Sequence, residues 1–210
     1  MIKKNLKTMI ITSIIILLPI VAGVMLWDQL PDQIATHFGP NGQPDGWSPK
    51  EFAVFGLPLI LLAVHWLCVT FTGADPKSKN ISDKMMTLVL WICPVMSFAC
   101  CGSTYLYTMD NTINTTKLGM LLMGCIFVVI GNYFPKMKQS YTLGIKLPWT
   151  LNSEENWYRT HRFAGYVFMV GGVFAILAGF MEWLSVAFVV LLSMAVLPTI
   201  YSYVLYKKGI

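Results

Sequence analysis

Six apolar runs, each long enough to cross a lipid bilayer, dominate this chain: about Thr8 to Trp27, Phe52 to Thr72, Met85 to Tyr107, Lys117 to Phe134, Phe163 to Met181 and Trp183 to Tyr206. A spanning helix needs roughly 20 predominantly apolar residues to match the hydrocarbon core. Within lipid every backbone amide must be satisfied inside the segment, so such runs fold as helices. Six of them occupy most of 210 residues and leave no room for a sizeable soluble domain. With 56% hydrophobic and 12% charged residues, the chain carries about half the charge usual in a soluble domain. The fold class is therefore all-α, a polytopic membrane protein with six transmembrane helices. The first run follows Lys3, Lys4 and Lys7 as a signal peptide would, but it exceeds a signal core and no small-x-small cleavage site precedes a soluble domain, so it is read as helix one.

Lys and Arg collect on the cytoplasmic side of membrane proteins. Of the 15 here, all but Lys50 and Lys117 fall in alternate segments: the N-terminus, 73–84, 135–162 and the C-terminus. The N-terminus and C-terminus are therefore expected to be cytoplasmic, with Asp28 to Lys50 outside. The net charge of +5 reads as topology and contact with anionic lipid rather than nucleic-acid binding.

Cys68, Cys93, Cys100, Cys101 and Cys125 all fall inside spans without a Cys-x-x-Cys spacing, which predicts packing residues rather than disulfides or a zinc site. Gly171, Ala175 and Gly179 recur at four-residue steps and predict close approach of a neighbouring helix. Pro19, Pro58, Pro94 and Pro198 lie within spans, where a bundle tolerates a kink. His65 is the one ionisable side chain near the middle of a span. A neutral imidazole bonded to a neighbouring helix is the first expectation for it, and a proton relay the second.

The outer loop, DQLPDQIATHFGPNGQPDGWSPK, is rich in turn signals. Leu30, Ile34 and Phe38 recur every four residues after Pro31, which predicts a short helix along the membrane surface. Pro40-Asn41-Gly42 and Pro44-Asp45-Gly46 predict two turns, and Trp47 an interfacial anchor. His37 and Asp45 are too few to hold a metal ion.

The inner loop, from Gly131 to Gly165, carries more aromatics and prolines than a connection requires. Pro135 ends helix four, with Asn132 placed to cap it. Tyr141 to Trp149 alternates bulky residues around Gly144 and Pro148 and reads as extended or turn. Thr150 or Ser153 then caps a short helix through Arg162, with Glu154 and Glu155 in its first turn and Trp157 and His161 on one face. Glu154, Glu155 and His161 make no zinc-protease motif and no nucleophile stands near them, so no catalytic residue, metal ligand or cofactor is assigned.

The run GNYFPKMKQSYTLGIKLPWTLNSEENWYRTHRFAG resembles the signature of the sporulation-delaying toxin immunity (SdpI-like) family of bacterial six-helix membrane proteins. LPDQIATHFGPNGQPDGW resembles the small N-terminal domain of unknown function that commonly precedes it. On this reading residues 1–72 hold two helices and the external loop of that domain, and residues 73–210 form the SdpI-like membrane domain. The resemblance implies a multi-pass protein of the bacterial plasma membrane that protects its host from a secreted peptide toxin. It further implies a signalling receptor that captures a cytoplasmic transcriptional repressor at the membrane, without direct nucleic-acid binding. The responding residues would be Asn132, Pro135, Lys136, Lys138, Tyr141, Gly144, Pro148, Trp149, Thr150, Trp157, Thr160, His161 and Arg162 on the inside, and Pro31, His37, Phe38, Gly42, Pro44, Asp45, Gly46 and Trp47 outside. A small transporter or exporter dependent on His65, a membrane enzyme dependent on Glu154, Glu155 or His161, and a scaffold are the alternatives.

Overall fold

A computed structural model describes residues 2–39, 42–110 and 113–210. Seven α-helices and one β-hairpin follow in the order α1 (Ile2–Met25), β1 (Gln33–Phe38), β2 (Pro44–Pro49), α2 (Leu57–Gly73), α3 (Asp83–Met109), α4 (Thr115–Tyr133), α5 (Pro148–Asn152), α6 (Glu154–Met181) and α7 (Leu184–Lys207). A single π-helical turn, Phe52–Gly56, leads into α2. Among the described residues six helices are long and apolar enough to span a bilayer, α5 being the exception. The chain divides into two compact units, Met1–Gly73 with Met86–Gly119 and Ala74–Met85 with Met120–Ile210.

In the first unit, α1 and α3 are joined by polar groups around the proline of α1. Proline lacks the N–H that would continue the helix ladder, and side chains from neighbours serve the carbonyls nearby. The Ser97 hydroxyl donates to the Ile16 carbonyl (2.8 Å) and the Tyr105 hydroxyl to the Pro19 carbonyl (3.2 Å). Gly23 makes room, since a Cβ there would lie 2.6 Å from the Tyr105 oxygen. His65 is fully buried and its Nε2 meets the Thr12 hydroxyl at 3.1 Å, the bond to a neighbouring helix expected of it.

The outer loop differs from expectation. No helix covers Leu30 to Phe38; Gln33–Phe38 is a strand paired antiparallel with Pro44–Pro49. A four-residue step is one helical turn and equally two strand periods, so the Ile34 to Phe38 spacing suits either state. Pairing with Pro44–Pro49 decides for the strand, which the β-branched Ile34 and Thr36 suit, with Thr36 Oγ1 bonded across to Ser48 Oγ at 2.8 Å. Both strands are edges, so Pro44 and Pro49 leave no interior ladder bond unmade. Leu30 and Ile34 are buried with Ala53, Val54, Cys101 and Tyr105 beneath the hairpin. Of the first expected turn, Gly42 adopts φ +76, while Pro40 and Asn41 lie outside the described residues.

In the second unit α6 packs between α4 and α7. The expected stripe splits between two neighbours: Gly171 faces Met194 of α7, Gly179 faces Met120 of α4. Backbones come closest elsewhere, at Gly124 against Gly172 and Gly131 against Gly165, where an added Cβ would lie 2.7 Å and 2.9 Å from the opposing carbonyl oxygen. These pairs recur at seven-residue spacing, two turns of each helix. At the far end Glu182, at φ 58, closes the tight turn into α7. Helix α6 also corrects an expectation: it runs unbroken from Glu154, so the short helix through Arg162 is its first two turns. The Ser153 hydroxyl caps it by accepting from the Asn156 N–H (3.1 Å). Thr150 instead belongs to the separate turn α5.

Candidate functional site in the loops of the second unit

Segment Ala74–Met85 and the loop 134–153 lie together at one end of the second unit, beside the chain's last residues. Their junction is Asp75, which is 4% exposed. Its Oδ2 accepts from the Ser140 hydroxyl (2.7 Å), the Thr142 hydroxyl (2.7 Å) and the Tyr141 and Thr142 N–H groups (2.9 Å each). Oδ1 accepts from the Lys77 N–H at 2.7 Å, an Asx turn that Pro76 helps set. Burial alone would push the Asp75 carboxyl up, but the donors from Ser140, Thr142 and Lys77 outweigh it and hold the group below its ordinary range. The site is an anion hole filled by the protein's own carboxylate.

Gln139 extends the clasp. Its Nε2 donates to the Thr150 and Leu151 carbonyls (2.8 Å each), its Oε1 accepts from Lys77 Nζ, and its carbonyl accepts from Asn80 Nδ2 (2.8 Å). Thr150, fully buried, accepts from the Leu147 N–H at 2.9 Å, and the Ile145 and Leu147 carbonyls both lie 2.9 Å from its hydroxyl. The segment 141–147 is irregular, as expected, and these bonds hold its backbone at Tyr141, Thr142, Ile145 and Leu147.

Beneath it, Trp157 and His161 stack with ring centroids 4.0 Å apart, 2% and 1% exposed. The Ile145 N–H donates to His161 Nε2 (2.9 Å), so Nδ1 carries the proton and donates to the Trp157 carbonyl (2.8 Å). Both bonds require the neutral imidazole. Gly144, at φ +103, lies over the ring so closely that a Cβ would fall 2.4 Å from Nε2. Trp157 Nε1 donates to the Met137 carbonyl (2.9 Å). On the α7 side, Ser202 accepts from Trp149 Nε1 (2.7 Å) and donates to Asn156 Oδ1 (2.8 Å). Asn156 Oδ1 also accepts from Thr160, and its Nδ2 donates to the Ile210 carbonyl (3.1 Å).

The inner-loop residues singled out in the sequence therefore separate into two sets. Gly144, Trp149, Thr150, Trp157, Thr160 and His161 form the inside of the loop. Lys136, Lys138, Tyr141, Pro148 and Arg162 remain exposed, and Pro135 packs against Gly165. Asn132 does not cap α4: it lies within the helix, its Oδ1 accepting from Lys136 Nζ at 3.3 Å. Sequence reasoning missed Asp75, Gln139, Ser140, Asn156 and Ser202. Asp75 alone carried a signal, as an acid before proline in an otherwise basic segment.

In the first unit, His37 Nδ1 bonds the Asp45 carboxylate across the hairpin, opposite Gly46, where a side chain would strike His37. Phe38 meets Tyr107 edge-on at 5.0 Å. Pro31, Asp45 and Trp47 are exposed, and Gly42, Pro44 and Gly46 are partly covered. No group of three potential metal ligands occurs among the described residues.

Residues 136–202 match the SdpI/YfhL protein family, and residues 14–62 match a domain of unknown function, DUF1648. Over 97% of its length the chain is 28% identical to 98% of the immunity protein SdpI of Bacillus subtilis strain 168. The chain is thus similar to the SdpI/YfhL family over residues 136–202 and to that immunity protein from end to end. It is accordingly a multi-pass protein of the bacterial plasma membrane. The SdpI/YfhL match takes in the His161 pocket and Ser202 but stops short of Asp75, so the clasp joins a family segment to one outside the match. The DUF1648 match covers the hairpin, the second half of α1 and the start of α2. No solved structure matches the chain.

Proposed function

We propose that this chain is a membrane immunity protein that protects its host from a secreted peptide toxin. The observation that carries the reading is its end-to-end similarity to the immunity protein SdpI. Toxin meets the hairpin side, through Pro31, His37, Phe38, Asp45 and Trp47, with Gly42 shaping the turn and Pro44 and Gly46 the strand that follows it. The loops 74–85 and 134–153 face the cytoplasm and report the state of the bundle. Lys136, Lys138, Tyr141 and Arg162 offer a basic, aromatic surface to a cytoplasmic repressor, while Gly144 and the buried Thr150, Trp157, Thr160 and His161 hold its shape.

A toxin-sensitive bacterium expressing the chain, challenged with the secreted peptide of a sporulation-delaying system, tests the reading. Survival is expected with wild type. It should be lost on deletion of residues 40–46 and in Arg162→Ala at matched membrane abundance, since Arg162 is exposed between Tyr158 and Tyr166 and its removal leaves the core intact. Death of the wild-type strain, or survival of both variants, overturns the assignment. Substrate flux dependent on His65 would favour a transporter instead.

A further inference from the structure

A cleft of about 520 Å³ opens in the second unit beside the clasp, lined by Asn80, Lys136, Lys138, Glu154, Trp157 and Tyr158 among others. Its depth in the membrane follows from helix geometry. Trp157 precedes Phe163, the start of the apolar run of α6, by six residues, about 9 Å along the axis. The headgroup layer on each side of the hydrocarbon is about 5–8 Å thick. Trp157 therefore marks the outer edge of the headgroup layer, while Lys136, two residues past the end of the α4 apolar run at Phe134, lies within it, so the cleft opens toward the lipid headgroups.

Its floor is rigid. Lys136 ends the 3-10 turn Phe134–Lys136, and the chain then runs on with Lys138 exposed and Gln139 buried. The Trp157 indole and the Asn80 amide pin the carbonyls of Met137 and Gln139, so the two lysines that line the cleft stand on a fixed backbone. Lys136 reaches only the Asn132 side chain and the Tyr133 ring, and Lys138 has no ion-pair or hydrogen-bond partner among the described residues. Neither does Glu154 opposite, whereas Glu155 is paired with Arg159. Two lysines and one carboxylate around a headgroup-sized space suit a ligand that is anionic at one end and donates hydrogen bonds at the other.

We propose that this cleft binds the headgroup of a phosphatidylglycerol-type lipid, with Lys136 and Lys138 on the phosphodiester and Glu154 accepting from the glycerol hydroxyls. The purified full chain, equilibrated with equal amounts of phosphatidylglycerol, phosphatidylethanolamine and phosphatidylcholine of matched acyl chains, is read by native mass spectrometry. Wild type should retain phosphatidylglycerol several-fold over both others. Lys136→Gln with Lys138→Gln should bring its retention down to that of phosphatidylcholine, while Lys146→Gln, on the same loop but outside the cleft, should match wild type. If the double variant melts lower than wild type, Lys138→Gln alone, at a side chain without a partner, carries the test. Undiminished retention in the lysine variants, an equal loss in Lys146→Gln, or equal retention of either other lipid by wild type overturns the site. Lipid retention is read without toxin, so its outcome is independent of protection.

Discussion

The Asp75 carboxylate accepts a 2.7 Å hydrogen bond from the Ser140 hydroxyl, 65 positions along the chain, and through it and its neighbours closes two loops into one element. Converting the acid to an amide removes the charge and places an NH₂ among donors. Asp75→Asn should therefore destabilise the second unit by about 1–3 kcal/mol, the range for a broken buried charged network. Thermal melting of the purified protein in detergent checks this, and an unchanged midpoint would rule out the clasp as a stabilising device.

The same carboxylate predicts an acid dependence. Its folded-state pKa is depressed, so its contribution is fully present above the unfolded value of about 3.9 and is lost as pH falls through the lower folded value. Wild type should lose stability more steeply than Asp75→Asn below about pH 4. Parallel slopes from pH 6 to pH 3 would show that Asp75 is not held ionised by its donors.

Gly144 combines left-handed backbone with direct contact on His161. Alanine there meets both a steric clash and a disfavoured φ, each costing about 1–3 kcal/mol. Because the clash is with the imidazole, His161→Ala should relieve part of it. A double-mutant cycle on melting midpoints is expected to show strong non-additivity. Additive effects would mean the ring does not cover Gly144.

Two glycines of the spans should behave oppositely. Gly172→Ala drives a Cβ to 2.7 Å from the Gly124 carbonyl oxygen, backbone that cannot yield, and should cost about 1–3 kcal/mol or block folding. Gly119→Ala, with nothing within 4 Å, should be neutral or stabilise by up to about 1 kcal/mol through helix propensity. Equal abundance and melting of the two variants would contradict the packing of α4 on α6.

The His37–Asp45 pair on the hairpin is exposed on both sides, and such pairs contribute about 0–1 kcal/mol. His37→Ala should leave the melting midpoint nearly unchanged while reducing toxin protection. Full protection in that variant would remove His37 from the recognition surface.

The six spans were legible in the sequence because bilayer thickness and backbone desolvation act on each segment alone, whatever its neighbours. The buried Trp157 and His161 were legible only as residues on one helix face. That Gly144 and Ile145 complete their pocket depends on a loop path no local pattern encodes. The hairpin was misjudged because Ile34 and Phe38 are four apart, a step shared by helix and strand, and the choice came from pairing with Pro44–Pro49. Gly124 and Gly131 became a seam only opposite Gly172 and Gly165, and Asp75 acquired its role only opposite Ser140 and Thr142. Where the chain crosses lipid follows from its residues taken one at a time, since transfer from water is a property of each. The tertiary structure decided which polar groups face one another, since hydrogen bonds and close packing depend on positions that distant segments supply.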